Sequence, residues 1–263
     1  MPVKAMPTEA EPQAPGRRPV ASMSYNELNR LDELLAMQQP ISVAPDTGFY
    51  LVAHQFTELW FKVILDELDG ARRAIDADEL PEARRRLARV ARGEDVLVCH
   101  LRAVGTITPG DFSVLRTHLG TSSAYESAQF REIEFLSGNK DPRFLDGPKL
   151  TDVERVRLAT RLREPSLAES FDALLARRGR PDLGAVIAGR LDPELAALIE
   201  ALIEHDEGFA RWRQGHALMV ERIIGYQTGT GGSSGVDYLR ASAETRFFPR
   251  LWQARSALPA PQS

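Results

Sequence analysis

The sequence predicts an all-α protein, folded as a single domain of bundled helices. Apolar residues recur at helical spacing along most of the 263-residue chain, and no stretch alternates as a half-buried strand would. Hydrophobic residues make up 43% and charged residues 27%, a balance typical of a globular protein with a core. No internal repeat divides the chain, so we expect one core.

Both ends of the chain are predicted to lie outside this domain. Residues 1–22 contain five of the 17 prolines and no periodic apolar pattern, which is typical of a disordered leader. Residues 257–263 contain two more prolines and are expected to form a frayed tail. The helical domain is therefore predicted to span residues 23–256.

The first three helices have the clearest patterns. Residues 25–37 carry four leucines at helical spacing, and Pro40 stops the helix. A long helix at about 49–75 is apolar nearly all the way round as far as Leu65, which predicts burial on every side in the middle of the bundle. A third helix at about 81–104 has an apolar stripe, and its arginines are expected to be solvated.

The later helices are shorter or less regular. Pro109 and Asp111 start a helix through Arg116, and the stretch at 122–136 again has a helical pattern. Further helices are predicted at about 151–163, 166–178 and 193–204, and a long one ends near Gly225. The glycine- and serine-rich run 229–235 is predicted to be a loop.

Charge and composition exclude several functional classes. With 33 basic and 37 acidic residues the net charge is −4, so the chain lacks the basic footprint of a sequence-independent nucleic-acid binder. No apolar run is long enough to span a membrane, and Arg17-Arg18 is not followed by an apolar signal segment. The single cysteine, Cys99, cannot form an internal disulfide and is expected to be a small buried hydrophobe. These features predict a cytoplasmic protein.

Two of the five histidines lie on apolar helical stripes and are expected to point into the core. His216 shares a face with Trp212, and His54 shares one with Glu58 and Phe61. A lone inward histidine is usually satisfied by a neighbour. Two on separate core helices instead favour a site between them, and opposed histidines in a helical bundle are typical of a haem pocket.

A different metal site is the competing interpretation of the histidines. His54 and Glu58 could supply part of a two-histidine-one-carboxylate iron site, but nothing nearby in the sequence points to a third ligand. His205 and His216 fall on one face of a helix. At about 1.5 Å per residue they would be roughly 16 Å apart on a continuous helix, so they could not share one ion.

The loop at 229–235 and Arg116 suggest a polar ligand. The loop follows a helix and has no lysine, so it is not a phosphate loop. It is either a plain linker or a flexible turn whose hydroxyls, Thr230 among them, close over a small polar molecule. Arg116 stands among apolar neighbours and is either part of a surface salt bridge or a carboxylate clamp.

Four motifs, taken in order, carry a family resemblance. They are HQFTELWFK at 54–62, WRQGH at 212–216, MVERIIG at 219–225 leading into GTGGSSG at 229–235, and FPRLW at 248–252. In this order and spacing they resemble the tryptophan 2,3-dioxygenase family of haem proteins. The resemblance covers roughly residues 25–255, which is nearly all of the predicted domain.

The resemblance implies a cofactor, a substrate and an assembly. It implies haem b in the core, with His216 as the axial iron ligand and Trp212 beside it, O₂ as co-substrate, and His54 as the catalytic distal residue that meets the indole N–H. Substrate-binding roles are implied for Tyr50, Phe112, Arg116, Ser123, Ala124 and Thr230. The family is usually a homotetramer in which the first helix caps a neighbouring subunit's pocket, so Tyr25 and Leu28 are expected to act in trans.

The chain departs from the family's pattern near the expected substrate pocket. Residues 123–127 are Ser-Ala-Tyr-Glu-Ser, where the family usually has Ser-Gly-Phe-Gln-Ser. Ala124 therefore places a methyl group where the backbone would otherwise approach closely, and Glu126 brings a charge that must be paired or solvated. In the first helix, Leu28 and Asn29 align with a tyrosine and a leucine.

Three functions are therefore compatible with the sequence. The first is cleavage of the indole C2–C3 bond of L-tryptophan or a close analogue, giving N-formylkynurenine. The second is a monooxygenase that converts a substituted tryptophan, for example a methylated one, to a 2-oxindole or hydroxyindole in a tailoring pathway. The third, from a different class, is a non-catalytic haem-binding sensor.

Overall fold

The computed structural model describes residues 22–40, 42–120, 126–147, 149–229 and 234–256. Every regular element within these ranges is helical, which confirms the all-α prediction. The predicted tail and all of the predicted leader except Ser22 lie outside the described residues. The α-helices are α1 (Tyr25–Asn29), α2 (Leu31–Ala36), α3 (Thr47–Asp76), α4 (Leu80–Val104), α5 (Pro109–Leu119), α6 (Ala128–Ser137), α7 (Asp152–Arg163), α8 (Leu167–Arg177), α9 (Leu183–Ile187), α10 (Pro193–Ile224), α11 (Val236–Ala243) and α12 (Pro249–Ser256).

The chain divides into two compact units, residues 1–39 and residues 40–263. The described part of the first unit holds α1 and α2, where the sequence predicted one continuous helix. That prediction was wrong because the chain turns at Arg30, whose φ is +50°. The Asn29 side chain donates to the Tyr25 carbonyl at 2.9 Å, competing with the helical backbone.

Three long helices, α3, α4 and α10, form the centre of the second unit. α4 packs against both α3 and α10, while α6 and α8 cover α3 and α11 lies against α10. Their contacts bury a continuous apolar core that includes Leu68, Leu97 and Phe209. Burial of this kind is the main favourable contribution to folding. The helices at 49–75, 81–104, 151–163 and 166–178 were predicted to within a few residues.

Helix α10 is one unbroken helix, although the sequence predicted separate helices around 193–204 and before Gly225. The polar run at its middle interrupts the apolar pattern, but His205 and Asp206 within it are buried and hydrogen-bonded. His205 Nδ1 contacts Glu94 Oε1 at 2.7 Å, and His205 Nε2 contacts Ser137 Oγ at 2.9 Å. All three side chains are fully buried. Partners on α4 and α6 therefore let the helix continue through residues that would otherwise favour solvent.

Asp206, the next residue on α10, ties the C-terminal segment to the core. Its fully buried carboxylate accepts the backbone N–H groups of Phe247 and Phe248 at 3.0 and 3.1 Å. It also accepts the indole N–H of Trp252 at 2.9 Å. Three donors satisfy this buried charge, which would otherwise be costly to desolvate.

The first half of α3 is not buried on every side, contrary to the sequence prediction. Val52, Leu59 and Val63 are 49%, 54% and 40% exposed. They follow one another at spacings of seven and four residues, so they share a face, here called the α3 stripe. No helix in the described part of this chain buries the stripe. The first half of α3 is therefore apolar nearly all the way round but is buried on only part of its circumference.

Helix α4 has the exposed arginines that the sequence predicted, but its cysteine is not buried as expected. Its arginines are largely exposed, and Arg86 forms an ion pair with Glu67 of α3 at 3.3 Å. Cys99 is exposed, so the prediction of a small buried hydrophobe was wrong. The residue lies off the apolar stripe that includes Leu97 and Leu101. Among the described residues, no helix is long and apolar enough to cross a membrane.

Candidate functional site

One cavity in the second unit gathers most of the residues that the sequence singled out. Its volume is about 250 Å³, and it is partly open to solvent. Residues of α3, α4, α5, α6, α10 and α11 line it, and most are apolar. The predicted site residues that line it are Tyr50, His54, Phe112, Arg116, Trp212 and His216.

His216 projects from α10 into this cavity. Its ring stacks on Trp212, four residues earlier, with centroids 5.3 Å apart and planes 2° from parallel. Burial, with a smaller contribution from the nearby His54, lowers the pKa of His216 to about 4. No other residue in the described ranges hydrogen-bonds to this ring. His216 is therefore a neutral imidazole at pH 7, with a nitrogen lone pair free to bind a metal ion or accept a proton.

His54 reaches the same cavity from α3. Its Nδ1 lies 2.9 Å from the Tyr50 carbonyl, which can only accept, so Nδ1 carries the proton and Nε2 is an acceptor. The Tyr50 and His54 rings are 4.1 Å apart. Burial lowers the pKa of His54, Glu58 opposes this shift, and His100 adds to it. Two neutral imidazoles from different helices therefore share one apolar cavity.

Two polar residues at this site were missed by the sequence analysis, one that lines the cavity and one that holds the lining residue Glu58. His100 on α4 lines the cavity and contacts the Ala53 carbonyl through Nε2 at 3.1 Å. Gln129 on α6 donates to the Glu58 carboxylate at 2.7 Å. Sequence periodicity cannot pair residues that are 47 and 71 positions apart. The only feature of the sequence that could have identified His100 as a site residue was its position beside the apolar stripe of its own helix.

Arg116 and Phe112 stand one turn apart on α5, and both line the cavity. Thr108 caps this helix by accepting the Asp111 N–H at 3.1 Å. Arg116 Nη1 donates to Gln227 Oε1 at 3.1 Å, and Nη2 donates to the Thr228 carbonyl. The salt-bridge interpretation of Arg116 is therefore not what the described residues show. The guanidinium instead holds the segment that follows α10.

Several predicted site residues are not tested by this cavity. Ser123, Ala124 and Thr230 lie outside the described residues. Tyr25 and Leu28 belong to the first unit, where they are 76% and 56% exposed.

The alternative metal sites gain no support from the geometry. Within the described ranges, no group of three or more histidine, cysteine, aspartate or glutamate side chains is arranged to hold an ion. Glu58 is engaged with Gln129, and His205 is engaged with Glu94 and Ser137. The unbroken α10 also keeps His205 and His216 apart, as the sequence analysis anticipated.

Glu126 departs from the family pattern, and its charge is paired. Its carboxylate forms an ion pair with Lys149 at 3.4 Å, and Glu126 is not among the residues that line the cavity. This pairing satisfies the requirement stated from the sequence. The departure therefore places no negative charge on the described wall of the site.

Comparisons with known proteins point in one direction. The family model described as tryptophan 2,3-dioxygenase matches residues 10–179 and 190–258. The chain is 38% identical over 260 residues to the tryptophan 2,3-dioxygenase of Cupriavidus necator, covering 90% of this chain and 88% of that protein. It is 40% identical over 255 residues to the tryptophan 2,3-dioxygenase of a Nocardioides species, covering 90% and 96%. A Pseudomonas fluorescens protein of the same name is 37% identical over 264 residues, covering 90% and 92%.

Proposed function

The chain belongs to the tryptophan 2,3-dioxygenase family, and on that premise we propose that it oxidises the indole ring of L-tryptophan or a close analogue. The expected outcome is cleavage of the C2–C3 bond to give N-formylkynurenine. The observation that carries the proposal is the meeting of two neutral imidazoles, His54 and His216, in one apolar cavity that Arg116 also lines. A sensor that only binds a cofactor has no need of such a guanidinium.

The residues of the cavity fit a haem. His216 offers an unprotonated nitrogen that no described side chain uses, so it would suit a ligand to the haem iron. Trp212 stacks against its ring and fixes the orientation of the imidazole. When bound, haem b supplies the binding and activation of O₂, and the protein supplies binding and orientation.

The remaining side chains suit the indole ring, its N–H group and the amino-acid end of the substrate. His54 Nε2 is an acceptor positioned to hold the indole N–H, because its Nδ1 proton is committed to the Tyr50 carbonyl. Tyr50 and Phe112 form apolar walls for the indole ring. Arg116 binds the substrate carboxylate, and Thr230 binds the amino-acid end of the substrate. We assign Ser123 and Ala124 to substrate binding in the part of the pocket where O₂ would bind.

We further propose a homotetramer in which Tyr25 and Leu28 act on a neighbouring subunit's pocket. The supporting observation is the α3 stripe, formed by Val52, Leu59 and Val63. An exposed apolar face of this sort is typical of a protein–protein contact. A second copy of the chain would explain why these residues are apolar.

Product analysis under ¹⁸O₂ tests the reaction itself. The haem-loaded, reduced protein is incubated with L-tryptophan and with methylated analogues, and the product mass is measured. Ring cleavage predicts two labelled atoms in a kynurenine-type product. A single labelled atom in an unopened ring would show the monooxygenase outcome and overturn the proposal. The paired charge of Glu126 gives no reason to favour that alternative.

Two substitutions test the assignment of the histidines. His216→Ala should abolish the Soret band, because the iron loses its ligand from the protein. His54→Ala should retain the band while slowing turnover, because only the acceptor for the indole N–H is removed. A His54→Ala protein that fails to take up haem, beside a His216→Ala protein that retains it, would reverse the two roles.

A further inference from the structure

The Arg116 guanidinium is engaged at two of its three nitrogens. Its Nη1 donates to Gln227 Oε1 at 3.1 Å, and its Nη2 donates to the Thr228 carbonyl. Its Nε–H has no hydrogen bond to any other residue in the described part of the chain. A guanidinium carries five N–H donors in a fixed plane, so the Nε and Nη2 side edge can still take a carboxylate in a two-pronged geometry.

Both partners of this contact are anchored. Arg116 follows Leu115, which is fully buried, so the base of the arginine is fixed by the packing of α5. On the other side, the Tyr226 hydroxyl donates to Glu221 Oε1 at 3.0 Å, and Arg240 of α11 donates to Glu221 Oε2 at 2.7 Å. The segment that carries Gln227 is therefore tied to α10 and α11.

We propose that Gln227 is a positioning residue for substrate binding. Its side-chain oxygen holds the Arg116 guanidinium in one plane, so that the side edge is presented to the substrate carboxylate. This inference rests on the proposed function, in which Arg116 binds that carboxylate. A long arginine side chain otherwise loses considerable rotamer freedom when it binds, and an arginine held in place beforehand avoids part of that cost.

The test compares ligands with and without a carboxylate. Gln227→Met keeps the length of the side chain and removes the acceptor. In the haem-loaded protein, Kd for L-tryptophan should rise about three- to ten-fold, the range expected for one net hydrogen bond. Kd for tryptamine, which lacks the carboxylate, should not change, and kcat at saturating tryptophan should stay within about two-fold. Gln253→Met, at an exposed position of α12, is the matched control and should leave both Kd values unchanged.

A double-mutant cycle with Arg116→Met decides whether Gln227 acts through Arg116. The inference predicts that Gln227→Met has no further effect on tryptophan binding in the Arg116→Met background. It is overturned if Gln227→Met weakens tryptamine equally, or weakens tryptophan to the same extent without Arg116. It is also overturned if only Arg116→Met weakens tryptophan binding, a result that leaves the proposed function intact. Tryptophan binding that survives Arg116→Met unchanged would remove the carboxylate role itself.

Discussion

Gly208 lies against the buried carboxyl group of Glu94, and a single methyl group there should destabilise the protein. A Cβ added at Gly208 would overlap Glu94 Oε2 and lie 3.2 Å from the carboxyl carbon. Glu94 is fully buried, and burial raises its pKa. Because Glu94 Oε1 is held at 2.7 Å by His205, the carboxylate cannot rotate away without breaking that hydrogen bond.

Three contributions give the expected change in the free energy of unfolding for Gly208→Ala. Overpacking a tight core costs about 1–3 kcal/mol. Loss of the His205 partner inside the core costs roughly another 1–3 kcal/mol. Replacing glycine by alanine within a helix returns about 1 kcal/mol. The net loss is about 3 kcal/mol, which for a domain of this size lowers Tm by about 10 °C.

Gly70 on α3 provides the matched control. A Cβ there would meet the side chain of Arg86, with Cζ at 2.6 Å and Cδ at 2.7 Å. Arg86 is only half-buried and can swing outward, and Glu67 then keeps its second ion pair, with Arg89. Gly70→Ala should therefore change Tm by no more than about 3 °C.

Thermal unfolding of both variants at equal protein and haem concentrations makes the comparison, since ligand and subunit binding shift Tm. A Gly208→Ala protein that melts at or above the wild-type temperature would refute the conclusion that Glu94 is fixed in place.

Two further predictions concern the proposed chemistry and assembly. Because the pKa of His54 is lowered from 6.5, its acceptor form persists below pH 6.5. We therefore expect kcat/KM for tryptophan to be flat through pH 6.5 and to fall only in more acid solution; a midpoint at or above pH 6.5 would contradict this. Leu59→Asp places a charge in the exposed α3 stripe and should reduce the oligomer to smaller species in light scattering, whereas Lys62→Asp, at an exposed position on the same helix, should not. An unchanged mass for Leu59→Asp would exclude the stripe as the subunit contact.

Local patterns in the sequence carried much of the architecture. The spacing of apolar residues located α3 and α4, and it placed His54 and His216 on faces that do meet at one cavity. Pro109 marked the start of α5, where a missing N–H costs nothing. These features depend on neighbours within a turn or two, so a single sequence is sufficient to predict them.

Long-range partners account for what the sequence analysis missed. The polar middle of α10 resembled a helix boundary because Glu94 and Ser137, which satisfy His205, are 111 and 68 positions away. The Arg116 contact with Gln227 likewise spans 111 positions. The α3 stripe is the opposite case. Its apolar residues led to a prediction of burial, but no described residue of this chain buries them.

The buried carboxylate of Asp206 makes the far end of the chain part of the interior. A protein truncated before Phe247 would lose all three donors to this charge at once. Such a truncation would therefore destabilise α10, the helix that carries His216, although none of the deleted residues lines the cavity. Trimming of the C-terminus should therefore stop short of Trp252.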